Sequence, residues 1–375
     1  MKKLIFRRFS LDITNFFLLA ILSTGLIVWI IQAVNYLDFV SEDGHSLKVY
    51  FMYSILSLPK IIGKLTIFVF FISVFFIIAK YEDKNEIIVF WTSGIKKIDF
   101  INNLFKVSIL ILFFQLLFNL FLIPKSQDLA RSFLRNSEID FFPSLIKSKK
   151  FIDTVSDLTL FIDNKDNNSG EFKNIYIQDN LNKKKTQIVL AKSGLLGKKN
   201  DNIYLILYSG KILNIDSKKT SIVNFKKTEF NLSKFSTKSI LFPKIQEQKT
   251  TNLLQCLNSY YKYNKTYNTK LFRCEENIID SVSKEMYRRL ITPIYILVVA
   301  LIASLLIIKS KNDFNYSKYK LITFLAGISL IIFSEISIEF LSKNFLNNLI
   351  LIISPLIFSF VIYFILKSKS KFINS

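Results

Sequence analysis

Residues 55–78 read ILSLPKIIGKLTIFVFFISVFFII, an apolar run whose only charged members are Lys60 and Lys64. A helix needs about 20 such residues to cross the hydrocarbon layer of a bilayer, and this stretch is long enough. Five others share its character. Ile13–Val34 and Leu104–Ile123 flank it, while Ile291–Ile308, Leu321–Leu341 and Leu346–Leu366 follow a long polar middle. The pattern predicts an α-helical membrane bundle of six transmembrane helices, three plus three, with a water-exposed domain inserted between the halves.

Composition agrees: hydrophobic residues make up 51% and mean hydropathy is +0.34, although the middle is rich in Lys and Asn. A net charge of +22 in a soluble chain would suggest nucleic acid, but here the placement of the basic residues matters more than their sum. Lys and Arg accumulate on the cytoplasmic side of short connections. They crowd the N-terminus (Lys2, Lys3, Arg7, Arg8), the second connection (Lys80, Lys84, Lys96, Lys97), the fourth (Lys309, Lys311, Lys318, Lys320) and the tail (Lys367, Lys369, Lys371). The first connection is acidic, with Asp38, Glu42 and Asp43, and the fifth has only Lys343. Both termini are therefore expected in the cytoplasm and the polar middle outside, since long domains cross largely regardless of charge. The first apolar run exceeds a signal-peptide core and only a weak small-residue pattern follows near Ala33, so it is expected to be retained.

Residues 124–284 are expected to form the outer domain. Short alternating or β-branched runs (Leu158–Ile162, Asn174–Gln178, Gln187–Ala191, Ile203–Tyr208, Ser221–Phe225) are separated by Asn, Asp, Gly and Lys clusters. Their even spacing suggests a sandwich or jelly roll, whose edges are natural docking sites for another β domain. Leu253–Glu285 reads as a helix returning to the membrane.

Conventional catalytic chemistry is scarce. His45 is the one histidine, so no His-based triad or His-rich metal site can be assembled. Gly194–Lys199 lacks phosphate-loop spacing, so the chain is not expected to hydrolyse ATP. Cys256 and Cys274 would be free to bridge in an oxidising compartment, or to pack as two small apolar thiols.

Polar residues inside the spans need a reason, because each costs several kcal/mol unless paired or hydrated. Lys60 and Lys64 lie four apart and share a helix face, as do Gln115 with Asn119 and Glu335 with Glu339; Gln32 and Asn35 end the first span. With the orientation above, all eight fall in the outer half of the bundle. One reading is a vestibule open to the outside for a molecule with an anionic head and apolar tails, with Arg289 at its mouth. The other is that Lys60 or Lys64 pairs with Glu335 or Glu339 to lock helices, or that the lysines snorkel. Glu285 and Arg289, also four apart, allow an ordinary helix pair or a head-group contact. Between the second and third spans, Tyr81–Ile95 has a charged start, an apolar middle and a terminating Gly94. That describes a short cytoplasmic helix, either lying on lipid or serving as a peg for a soluble partner.

These features together resemble the LptF/LptG permease family. Glu86–Ile95 is similar to its acidic-to-glycine cytoplasmic motif, and Glu285–Pro293 to its Glu-x-x-x-Arg entry to the fourth helix. Ile188–Gly194 and Leu205–Gly210 resemble strands of its periplasmic β-jelly roll. Trp91 and Thr92 fill positions often held by other residues. The resemblance, nearer to the F than the G branch, covers essentially the whole chain. It implies a subunit of the lipopolysaccharide exporter in the bacterial inner membrane. That subunit would pair with the other permease and with a dimer of the ATPase LptB, and its jelly roll would hand lipopolysaccharide to LptC and LptA. Glu86, Ile87, Ile88, Phe90, Trp91 and Gly94 would form the ATPase-coupling helix at about 82–94. Lys60, Lys64, Arg289, Gln32, Asn35, Gln115, Asn119, Glu335 and Glu339 would contact substrate. The chain itself would carry no cofactor, ATP and magnesium belonging to the partner. The competing classes are a non-transporting envelope protein that recruits partners by strand addition, and a lipoprotein-releasing permease, against which six spans argue.

Overall fold

The computed structural model describes residues 2–37, 40, 46–136, 149–152, 158–166, 170–182, 185–199, 202–216, 220–232, 244–263, 267–268, 273–274, 276–341 and 345–372. Expectations resting on Asp38, Glu42, Asp43, His45 and Lys343 lie outside these residues. Two compact units emerge: 1–31 with 57–128 and 244–375, and 32–56 with 129–243. The first unit reaches back to Lys244, so the segment from 244 to 284 belongs with the helices although polarity had grouped it with the outer domain.

The helices in chain order are α1 (Lys2–Asn35), α2 (Leu47–Asp83), α3 (Glu86–Thr92), α4 (Lys97–Leu117), α5 (Ile123–Asn136), α6 (Thr250–Tyr263), α7 (Ile279–Leu290), α8 (Tyr295–Ser304), α9 (Tyr316–Glu339) and α10 (Phe345–Phe372). A single π turn, Phe118–Leu122, joins α4 to α5. Among the described residues, six helical segments are long and apolar enough to span a bilayer, as their hydropathy predicted.

Burial sorts these spans by role. In the segment containing α8, 72% of the apolar window is buried, whereas α10 buries 11% of its own. A helix that is apolar all round belongs at a bundle centre or against lipid, and the two occupy those opposite places. The core is aromatic-rich: the Phe9 ring lies 4.5 Å from Phe100, 5.3 Å from Tyr81 and 5.9 Å from Phe90, so one side chain of α1 ties α2, α3 and α4 together. The Tyr81 hydroxyl, within this cluster, donates to Asp12. Where α9 crosses α2, a Cβ on Gly327 would stand 2.0 Å from the ring of fully buried Phe71, so only glycine admits this approach.

The expected returning helix is two helices. α6 stops at Tyr263, and a two-stranded ladder, β7 (Tyr267–Asn268) with β8 (Arg273–Cys274), precedes α7. Cys256 and Cys274 are bridged, with Cα atoms 5.8 Å apart, and pack with Leu253, Ile279, Val282 and Met286. Both strands and bridge reverse the chain, so a continuous helix is ruled out.

In the second unit, β1 (Lys150–Ile152), β2 (Leu158–Lys165), β3 (Phe172–Asn182), β4 (Lys185–Lys199), β5 (Asn202–Asp216) and β6 (Thr220–Asn231) form one antiparallel sheet in sequence order. The expected β domain is present, and its described strands make a meander, with no strand-exchanging connection among them. Leu160, Ile162, Ile175, Ile177, Val189, Leu205 and Leu207 form its buried face. A crease runs across this sheet. Asn174 (φ 53°) and Ser209 (φ 52°) adopt left-handed backbone, and the paired rows Ile175–Ala191–Gly210–Phe225 and Lys173–Ser193–Tyr208–Lys227 lie on either side of their line. One left-handed residue shifts the two-residue alternation, which is why Phe172 and Ile175, three apart, are both buried. At the crease a Cβ on Gly210 would lie 2.1 Å from the Leu190 carbonyl oxygen, which gives that motif glycine a steric reason.

Candidate functional site

The intramembrane polar residues converge selectively. Lys60, Lys64, Gln115, Asn119, Arg289 and Glu335 line one cavity of about 90 Å³ within the helical unit. The remaining expected contacts stand elsewhere. Glu339 accepts an ion pair from Lys284 at 2.5 Å on the exposed surface, and it does not line the cavity. Gln32 and Asn35, at the end of α1, belong to the unit that carries the sheet, where Gln32 accepts a hydrogen bond from the Tyr36 hydroxyl.

The helix-locking alternative is not what forms. Among the described residues, no ion pair joins Lys60 or Lys64 to Glu335 or Glu339. Two like charges on successive turns of α2 repel each other, so an anion in the cavity would relieve them. Gly63 lies between them. Its carbonyl accepts a 2.8 Å bond from the Gln115 Nε2, which also donates to the Asn119 Oδ1 at 3.2 Å.

Arg289 departs from the expected head-group role. Only 3% exposed, it donates through Nε to Glu285 at 2.8 Å, through Nη1 to the Gln248 carbonyl at 3.0 Å and the Thr250 hydroxyl at 2.9 Å, and through Nη2 to the Gln246 carbonyl at 3.0 Å. A guanidinium carries five donors, and four contacts to the chain leave little for a ligand. Thr250 passes the contact on, donating to the Leu120 carbonyl at 2.8 Å inside the π turn. Such turns displace backbone carbonyls from the regular ladder, and Thr250 satisfies one of them. Arg289 thus ties α7 and residues 246–250 to the π turn in the cavity wall.

Four polar lining residues, Gln127, Gln246, Arg288 and Thr292, escaped sequence reading. Gln127 Nε2 and Thr292 Oγ1 are buried beside the cavity, with no hydrogen-bond partner among the described residues. Gln127 lies beyond the third apolar run in an amphipathic segment, and Thr292 precedes a proline, so neither stood out as an intramembrane polar residue. Arg288, another lining residue, reaches Glu285 at 3.3 Å. The lining carries four cations, Lys60, Lys64, Arg288 and Arg289, against the carboxylates of Glu285 and Glu335, a formal surplus of two positive charges.

The short helix α3 follows the far end of α2, about 28 Å along that helix from Lys64 at 1.5 Å per residue. It ends on Gly94 at φ 70°, with the Gly94 N–H bonded to the Trp91 carbonyl and the Ile95 N–H to the Phe90 carbonyl, each at 3.0 Å. Lys2 Nζ caps the Gly94 carbonyl at 2.8 Å. Of the expected coupling residues, Ile87 and Phe90 are 3% and 2% exposed and belong to the bundle core, so they anchor the helix and are not available to a partner. Trp91 and Glu86 are half-buried, while Ile88 and Val89, both 52% exposed, form the outward apolar face.

Over residues 9–369 the chain matches the family described as lipopolysaccharide export system permease LptF/LptG. The chain belongs to the LptF/LptG family. It is also 23% identical over 350 residues to an uncharacterized protein, RP871, of Rickettsia prowazekii (strain Madrid E), with 92% of each chain covered. As a member of LptF/LptG it is a lipopolysaccharide export permease component of the inner membrane, not itself catalytic. The acidic-to-glycine segment of the family resemblance is α3, and the Glu-x-x-x-Arg segment is the buried Glu285–Arg289 pair.

Proposed function

We propose that this permease takes lipopolysaccharide from the outer leaflet of the inner membrane, driven by ATP that a separate LptB-like ATPase dimer hydrolyses with magnesium. The cavity is the observation that carries the reading. Lys60 and Lys64, on one face of α2 and in no ion pair among the described residues, give the lining its formal surplus of two positive charges, which suits the phosphate of an anionic lipid head. In this scheme both termini are cytoplasmic and the sheet is periplasmic. The cavity would then open toward the leaflet that supplies the substrate, and α3 would face the ATPase.

Glu86 and the exposed pair Ile88 and Val89 would seat in the ATPase, with Trp91 and Gly94 fixing the angle of the helix. A second permease of the same family would complete the transport path, and LptC and LptA would receive the lipid through the sheet. A groove of about 740 Å³ beside the crease, lined by Phe161, Tyr176, Leu190 and Phe225 with Lys192 and Lys211 at hand, has the mixed chemistry such a transfer needs.

The double variant Lys60→Ala/Lys64→Ala tests this. Each lost charge-assisted contact is worth about 1.5–3 kcal/mol, so lipopolysaccharide export should fall about tenfold or more while the protein still assembles with its ATPase. Unchanged export and unchanged lipid-stimulated ATP hydrolysis would overturn it.

A further inference from the structure

The last carbonyls of a helix need partners from outside it, and at the end of α8 two of these come from different helices. α8 runs into a short 3-10 turn, Leu305–Ile308. The Tyr319 hydroxyl of α9 donates to the Leu305 carbonyl at 2.9 Å, and Lys97 Nζ at the start of α4 donates to the Ile308 carbonyl at 3.2 Å. Lys97 also reaches α3. Its Nζ stands 6.0 Å from the centre of the Trp91 ring, the outer limit of a cation–π contact, and the carboxylates of Glu82 and Asp313 are its electrostatic neighbours. The connection after α8 is tied to the same place. Glu82, near the end of α2, accepts the Lys311 backbone N–H at 2.9 Å, Lys311 Nζ donates to the Asp83 carbonyl at 3.3 Å, and the Asp83 carboxylate pairs with Lys320 of α9 at 3.5 Å. Reversing the chain does not require these bonds, because the Asp313 N–H to the Ser310 carbonyl and the Tyr316 N–H to the Asp313 carbonyl already close the turns. They bind residues 305–313 to both roots of α3, Asp83 before it and Lys97 after it.

We infer that Lys97 is a positioning residue that joins α3 and the end of α8 into one piece, so that a push on α3 from the ATPase moves α8 and, through it, the cavity wall. The inference rests on the reading that the ATPase seats on α3, and it adds the residues that carry the push onward. α8 suits the task. Nearly all of its side chains from Tyr295 to Ser304 are buried, and a close-packed helix passes displacement along its axis because its surroundings hardly compress. Its other end, about 24 Å away at 1.5 Å per residue, is the turn Thr292–Ile294, where Thr292 and Pro293 line the cavity. Each surface bond in the cluster is weak by itself; the joint is stiff because the bonds come from four helix ends at once. Only a coupling measurement separates such a joint from a plain helix cap.

The test uses the complete exporter reconstituted in liposomes, with lipopolysaccharide extraction and ATP hydrolysis measured together. Lys97→Ala should leave the ATPase bound and hydrolysing close to the unaltered rate, while lipopolysaccharide extracted per ATP falls several-fold. Lys97→Arg, whose guanidinium can donate to the same carbonyl and lie over the same ring, should restore most of it. A lower melting temperature with unchanged extraction per ATP would mean a helix cap alone, and a parallel loss of hydrolysis and extraction a disturbed ATPase seat; either overturns the inference. Should Lys97→Ala fail to assemble, a cross-link decides. Lys84, in the turn before α3, and Asn312 are both exposed and flank the Asp83–Lys311 contact, and the two native cysteines are bridged, so Lys84→Cys/Asn312→Cys can be joined by a short bismaleimide. Export should survive the link, since the two segments move as one; a link that halts export would show that they part, and would overturn the joint. Ile88→Asp/Val89→Asp tells failure of the joint from failure of the seat. If it leaves the ATPase attached and stimulated, the seat on α3 fails and the inference with it. If it releases the ATPase while Lys97→Ala keeps full extraction per ATP, the joint alone fails.

Discussion

At the scale of single residues, charge and saturation separate side chains that look alike in the sequence. Arg289 and Lys60 are both cations near the same cavity, yet Arg289 has four bonds to its own chain while Lys60 is in no ion pair among the described residues. Removing Arg289 leaves a buried carboxylate and two orphaned carbonyls, so Arg289→Ala should destabilise the helical unit by about 3–5 kcal/mol. Arg289→Lys should recover only part of this, because an ammonium cannot reproduce the planar fork. Thr250→Val, which deletes one acceptor and one donor, should cost about 1–3 kcal/mol. Combined with Arg289→Ala it should cost less than the sum, since the two share a bond. Thermal unfolding of the four variants in lipid nanodiscs measures all of these, and additive costs would break the proposed network. The pairing of Glu285 with Arg289 was readable from their spacing. That the pair also secures residues 246–250 was not, because those partners are backbone carbonyls distant in sequence.

At the scale of elements, glycines and short helices show what a pattern can and cannot say. Gly94 and Gly327 are both fixed, for different reasons. An added Cβ at Gly94 meets nothing, but its φ of 70° is left-handed, so Gly94→Ala should cost about 1–2 kcal/mol through backbone strain alone. Gly327→Ala drives an atom into the Phe71 ring and should cost about 1–3 kcal/mol or more, recoverable by a second change, Phe71→Leu, that makes room. Rescue at Gly327 with none at Gly94, read by thermal unfolding, is the expected contrast. The helix α3 presents four consecutive apolar residues, Ile87 to Phe90, and the sequence alone does not say which face inward. Packing of Phe90 against Phe9 and Phe100 settles it. Ile88→Asp with Val89→Asp should therefore abolish ATPase stimulation with the fold intact, whereas Phe90→Asp should lower expression and thermal stability. Equal loss of folding in both variants would contradict the assigned faces.

At the scale of the whole molecule, the disulfide and the spans test the orientation together. The Cys256–Cys274 link closes a sequence separation of 18 residues, a loop whose closure contributes about 3 kcal/mol by chain entropy. Reduction should lower the melting temperature, and thiol labelling should require prior reduction. Because such bridges form in oxidising compartments, a reporter fused near Lys192 should register as periplasmic; a cytosolic reading would overturn the orientation and the transport scheme with it. The sequence by itself determined which segments span the bilayer, that a β domain lies between two sets of three, and which family the chain joins. Hydrophobicity and strand alternation are local and add along the chain, so they survive without knowledge of neighbours. Only the tertiary structure decided that Lys60, Lys64, Gln115, Asn119 and Glu335 share a cavity while Glu339 stands outside it, and that Gln127 and Thr292 belong with them. A helical spacing fixes which residues share a face, but which helix that face meets depends on packing among segments hundreds of residues apart.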